Sequence, residues 1–216
     1  MTTRFEMAEA LVAWAKKRLA EQDMYQFRAA NLRLVTTDLQ ISVKEILEHL
    51  RSALDYCARG LHDLCPLGPS CNVFFPIAKC GFLSKDFPSL VGQRIPGLLN
   101  ARPDLVPVLQ SFQEFASPNN WWLPDLATLC NESKHERLSV QQAVKVAITS
   151  LGSRDGKRVI EMDRSDKAPL KLGRVWMGNG HGVTFEFDAI EQETTHFLET
   201  ALGGVVGIIA ELKARI

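Results

Sequence analysis

The hydrophobic period of this chain switches from helical to alternating near residue 135, and that switch limits the folds open to it. In the main segments before residue 135 apolar residues recur three and four apart, the spacing of one helix face. Beyond it they recur every second residue, the spacing of a half-buried strand. Leu11, Val12, Ala15 and Leu19 place a helix over 4–24. Val43, Ile46, Leu50, Leu54 and Cys57 place a second, ending near Leu61. Leu126, Leu129 and Cys130 place a third, running from Pro124 in its first turn to about His135. Val144, Val146 and Ile148 then alternate with Lys145, Ala147 and Thr149. Lys157–Asp163 and Leu170–Met177 read as further strands, Gly178-Asn-Gly180 as a tight turn, and Val183, Phe185 and Phe187 alternate again. Strands that follow one another without helical crossovers pair antiparallel, so the order implies an α+β fold. A last helix, capped within Asp188-Ala-Ile-Glu191, fills 189–215.

Local patterns refine this outline. Leu32, Leu34 and Thr36 alternate with Asn31, Arg33 and Val35, which predicts a strand over 28–36. Ser42-Val-Lys-Glu45 has the form of a capping box and predicts that the second helix begins there. Twelve prolines and glycines fall between residues 62 and 120, which predicts an irregular, loop-rich segment with short helices, one of them at 103–115. No repeat or composition shift divides the chain. The expected architecture is a single α+β domain over 1–216: a bundle of about four main helices, covered on one side by an antiparallel sheet formed by 137–188 plus the strand near 28–36.

Lys and Arg number 25 against 25 Asp and Glu, with 46% hydrophobic residues, so disorder is excluded and a basic footprint spread over the whole surface is absent. The first ten residues carry acids where a secretion signal would be apolar. The longest apolar run, Ala201–Ala210, is about half the ~20 residues of a membrane span. Five cysteines without an export signal read as reduced thiols, so the expected location is cytoplasmic and no membrane partner is expected. No G-x-x-x-x-G-K phosphate loop and no G-x-S-x-G elbow occurs, which argues against kinases and serine hydrolases, and no cofactor is expected. His62, Cys65, Cys71 and Cys80 offer zinc-type ligands without a Cys-x2-Cys pair. They read as small apolar fillers, the zinc question stays open, and no metal residue is assigned.

Three segments carry the chemistry: His49-Leu-Arg-Ser-Ala-Leu-Asp-Tyr56, Phe75-Pro-Ile77 and Leu129-Cys-Asn-Glu-Ser-Lys-His-Glu-Arg137. In this order they resemble, over roughly residues 1–150, a widespread bacterial family with no settled activity. The third segment also resembles the Arg-Asn-x-x-x-His motif of HEPN helical bundles, many of them ribonucleases, with Asn131 and His135 in place and Cys130 where those proteins carry Arg. That resemblance implies a protein that binds RNA or cleaves it without a metal. The residues fit the chemistry. Asn131, Lys134 and His135 share a helix face, and a neutral imidazole can take and return the proton of a ribose hydroxyl. His135 is then the general base, Arg51 and Lys134 hold phosphate, and Asn131 orients it. Asp55, Arg137, Trp121 and Trp122 are candidate binding residues, the tryptophans by stacking bases.

The competing reading is a non-catalytic binding or interaction protein. In it Arg51 and Asp55, one turn apart, form a structural polar network, and Trp121-Trp122 anchors a helix entry. The expected partners are RNA or a small ligand. Gly203-x3-Gly207 permits close helix packing, within the fold or at a homodimer seam.

Overall fold

The structure, a computed structural model, describes residues 3–32, 34–66, 72–135, 141–154, 157–163, 176–178, 181–187, 189–190 and 192–216. Within these, the side chains of 133–135 and of 141–184 are not described. The seven α-helices among them are α1 (Arg4–Leu32), α2 (Thr37–His62), α3 (Phe87–Arg94), α4 (Leu98–Ala101), α5 (Leu105–Ser111), α6 (Trp122–His135) and α7 (Thr194–Lys213). The strands are β1 (Gln141–Arg154), β2 (Lys157–Asp163), β3 (Trp176–Gly178), β4 (His181–Phe187) and β5 (Gln192–Glu193). The fold is α+β, as the switch of period predicts. The four long helices are joined by three short ones in the breaker-rich segment. There α5 occupies the middle of the helix expected at 103–115.

Two expectations at the start of the chain are corrected. No strand forms at 28–32, because α1 continues to Leu32. Gln26 and Ala29 are buried at helical spacing, while Leu32 and Leu34 are 60% and 50% exposed, so their alternation marks no buried face. Nor does the second helix start at Ser42. It starts at Thr37, where the Thr36 hydroxyl accepts the Leu39 N–H at 3.3 Å. Ser42 instead lies buried in α2 and accepts a hydrogen bond from Gln22 Nε2 at 3.0 Å, while Glu45 pairs with Arg18 at 3.0 Å. The reciprocal cap sits one helix earlier. Thr3 Oγ1 accepts from Glu6 N at 3.2 Å, and Thr3 N donates to Glu6 Oε2 at 2.7 Å.

Helices α1 and α2 form an antiparallel hairpin. The contacts Gln22–Ser42, Arg18–Glu45, Trp14–His49 and Arg4–Asp63 descend one helix as they climb the other. Small residues let the pair approach closely: Ala8, Ala15, Ala29 and Ala53 are fully buried, and a Cβ on Gly60 would stand 2.6 Å from Phe5 Cε2. Helix α7 also runs antiparallel to α1, with Gln26 bonded to Thr195 and Glu9 to Lys213. Its start is a further correction. The cap is Glu193, whose carboxylate accepts His196 N at 2.6 Å, and 189–190 form a turn; Asp188 lies outside the described residues.

The sheet is antiparallel with strand order β2-β1-β4-β3, and β5 pairs with the end of β4. Strand β1 gives its first half to β4 and its second half to β2, with an irregularity between Ile148 and Ser150. The segment 164–175, which includes most of the strand expected at 170–177, lies outside the described residues. Phe185 and Phe187 of β4 are buried, and Phe187 meets Phe197 of α7 edge-on at 5.5 Å between ring centres. Helix α7 is long and apolar enough to cross a membrane by length and composition, and it places Phe197, Leu198, Ala201, Val205, Ile208, Ile209 and Leu212 in the core. Burial of each such large side chain is worth ~1.5–3 kcal/mol.

Between these helices lies a buried polar layer. Gln22, Gln26, Ser42, Thr194 and Thr195 are all nearly inaccessible to solvent. Gln26 Nε2 donates to Thr195 Oγ1 at 2.9 Å, and the Thr195 hydroxyl can donate back to Gln26 Oε1 at 3.2 Å.

Candidate binding site on the second helix

The polar stripe of α2 runs along Lys44, Glu48, Arg51 and Asp55, at steps of four, three and four residues that keep one helix face. Lys44 meets Glu48 at 3.7 Å, and half-buried Arg51 meets Asp55 through Nη2 at 3.3 Å and Nε at 3.4 Å. Asp55 does more than pair. Its Oδ1 accepts the backbone N–H of Phe75 at 2.9 Å, so two of the three sequence motifs are joined by one carboxylate.

That bond is part of how the extended segment 72–79 is held. Phe74 N donates to Arg94 O at 3.1 Å. The buried Gln113 amide accepts from Ala78 N at 2.9 Å and donates to Pro76 O at 3.1 Å. Side chains here satisfy backbone groups that a strand would satisfy in a ladder. Gln113 carries no signal in the sequence, because it lies among breakers and acts on residues 35 and 37 positions away.

Below Asp55 the same face opens into a depression of about 310 Å³ lined by Arg4, Ser52, Asp55, Tyr56 and Arg59. The helical hairpin builds it. Ser52, Tyr56 and Arg59 are spaced by four and three residues on α2, and the antiparallel pairing brings the start of α1, with Arg4, beside the end of α2. Arg4 pairs with Asp63 at 3.2 Å on an exposed edge. Arg59 has no carboxylate partner among the described residues. Of these lining residues the sequence reading made Asp55 alone a candidate site residue; the missed signal was the i, i+4, i+7 row from Ser52 to Arg59.

The other sequence-predicted residues lie elsewhere. Trp122 is buried, and a Cβ on Gly204 of α7 would fall 2.1 Å from its Cζ2, so the indole occupies the space a larger residue would need. Trp121 is half-buried, stacked on His196 at 6.4 Å and tilted against Phe197 at 5.9 Å. Both act as anchors of α6 on α7. Asn131 is exposed on α6, while its neighbour Cys130 is buried and donates its thiol to Leu47 O of α2 at 3.5 Å. Lys134 and His135 lie in the last turn of α6 with side chains outside the description, and Arg137 lies outside the described residues.

His62 and Cys65 are buried at the end of α2. His62 Nδ1 bonds to Pro96 O at 3.0 Å and the Cys65 thiol to Leu61 O at 3.6 Å. Cys80 is exposed and Cys71 lies outside the described residues; among those described, no three potential ligands gather. Burial pushes the Cys57 thiol up to about 12, with Asp55 and Glu9 adding to the effect, so it stays protonated. Set against protein-family models, curated proteins and solved structures, this chain matches none.

Proposed function

We propose that this protein is a non-catalytic binding domain whose α2 polar stripe is structural. The observation that carries the reading is the double engagement of Asp55, which holds Arg51 on one side and the Phe75 N–H on the other. A guanidinium whose charge is already met by a carboxylate has less positive field to offer a phosphate. The packing of Trp121 and Trp122 against α7 supports the same view, since neither ring is left as a platform for stacked bases.

The test is metal-free incubation of the pure protein with structured and single-stranded RNAs, beside Arg51→Ala and His135→Ala. We expect no cleavage by any of the three, a lowered melting temperature for Arg51→Ala, and little change in it for His135→Ala. Cleavage by the wild-type chain that disappears in a well-folded His135→Ala variant overturns this reading in favour of a HEPN-like metal-independent ribonuclease.

A further inference from the structure

We infer that the depression between the start of α1 and the end of α2 binds a phosphate monoester carried on a small hydroxylated molecule. The inference rests on the reading of the chain as a non-catalytic binding domain.

Its lining decides the chemistry. Arg4 and Arg59 supply two guanidiniums, which match phosphate oxygens in planar, two-pronged fashion, and Ser52 and Tyr56 supply two hydroxyl donors. The one acid in the wall, Asp55, makes its ion pair with Arg51 and lies beyond ion-pair distance of Arg4 and Arg59. Arg59 has no ion-pair partner among the described residues, and the competition Arg4 faces is the exposed pair with Asp63, which is worth little. The two helix ends that meet here carry opposite dipoles, so the side-chain charges set the sign of the site. A remaining lone pair on the Asp55 carboxylate can accept a hydroxyl of the ligand next to its phosphate. A volume of about 310 Å³ holds a molecule of sugar-phosphate size. RNA fits less well, because two arginines around a small depression, on a chain of zero net charge, do not make a basic groove that tracks successive phosphodiesters.

The experiment is calorimetric titration of the full chain with inorganic phosphate, with ribose 5-phosphate, and with a short RNA lacking terminal phosphates. Arg59→Gln is the test variant and Arg28→Gln, an exposed arginine on α1, is the control. We expect binding of the first two ligands, tighter for the sugar phosphate, about tenfold weaker in Arg59→Gln and unchanged in Arg28→Gln. Absence of binding by both small ligands, or equal binding in the two variants, overturns the site. Preferential binding of the RNA through Arg59 overturns the monoester assignment. Neither result bears on cleavage, so failure here and failure of the non-catalytic reading are separately visible.

Discussion

Removing the Asp55 carboxylate takes away an ion pair and a main-chain hydrogen bond together. Asp55→Ala leaves the Arg51 guanidinium and the Phe75 N–H without their acceptor, and both groups are partly shielded from water. We expect a loss of about 2–4 kcal/mol in urea unfolding, against about 1 kcal/mol for Asp55→Asn, which keeps an acceptor for Phe75. Equal effects of the two substitutions would show that the bond to Phe75 contributes nothing. A second residue sets a pH dependence. Burial raises the carboxyl of Glu193 from 4.5 to about 7, against the N–H groups of His196 and Thr195 that lower it. Between those pH values the folded chain keeps a proton that the unfolded chain has released. Stability attributable to this group is therefore full below about pH 4.5 and is lost as pH rises to about 7, by an amount on the order of 3 kcal/mol. Asp125, half-buried and facing the charge of Glu114, is raised to about 6 by its burial and acts in the same direction. Glu193→Gln keeps an acceptor at the α7 cap and should flatten the profile measured by urea unfolding at pH 5 and pH 8. A wild-type chain equally stable at both would refute this.

At the scale of elements, α7 carries two adjacent glycines with opposite expectations. Gly204 faces the Trp122 ring, where an added Cβ would meet Cζ2, Cε2 and Cη2 at 2.1, 2.3 and 2.8 Å; Gly203 faces open space. Gly204→Ala should destabilise by about 1–3 kcal/mol and Gly203→Ala should stabilise by about 0.5–1 kcal/mol, both read from thermal melts. A stabilised Gly204→Ala would mean that α6 is not seated on α7 through Trp122. Elements such as these were legible where one period repeats, as along the body of α2, in α6 and in β4. Legibility failed where a short pattern has two uses. Ser42-Val-Lys-Glu45 reads as a cap, yet its hydroxyl and carboxylate serve contacts with Gln22 and Arg18 of another helix. The site was legible only in part for a related reason. His49–Tyr56 and Phe75–Ile77 stand out as separate motifs, but the bond between Asp55 and Phe75 spans 20 residues of sequence, and neither end announces its partner.

Across the whole molecule, the bundle and the sheet share one core, with Phe185 and Phe187 of β4 and Phe197 of α7 among the most deeply buried side chains. The polar layer of Gln22, Gln26, Ser42 and Thr195 sits within that otherwise oily interior. Hydrophobic burial is non-directional and by itself discriminates weakly against a slide of one helical turn, about 5.4 Å. The amides of Gln22 and Gln26 are not indifferent, because such a slide would carry them away from Ser42 and Thr195 and strand them among hydrocarbon side chains. The layer therefore works as a key cut for one alignment of α1, α2 and α7. It selects a single arrangement from several of comparable hydrophobic burial, and it fixes where Arg4 stands relative to Arg59 at the far end of the same hairpin.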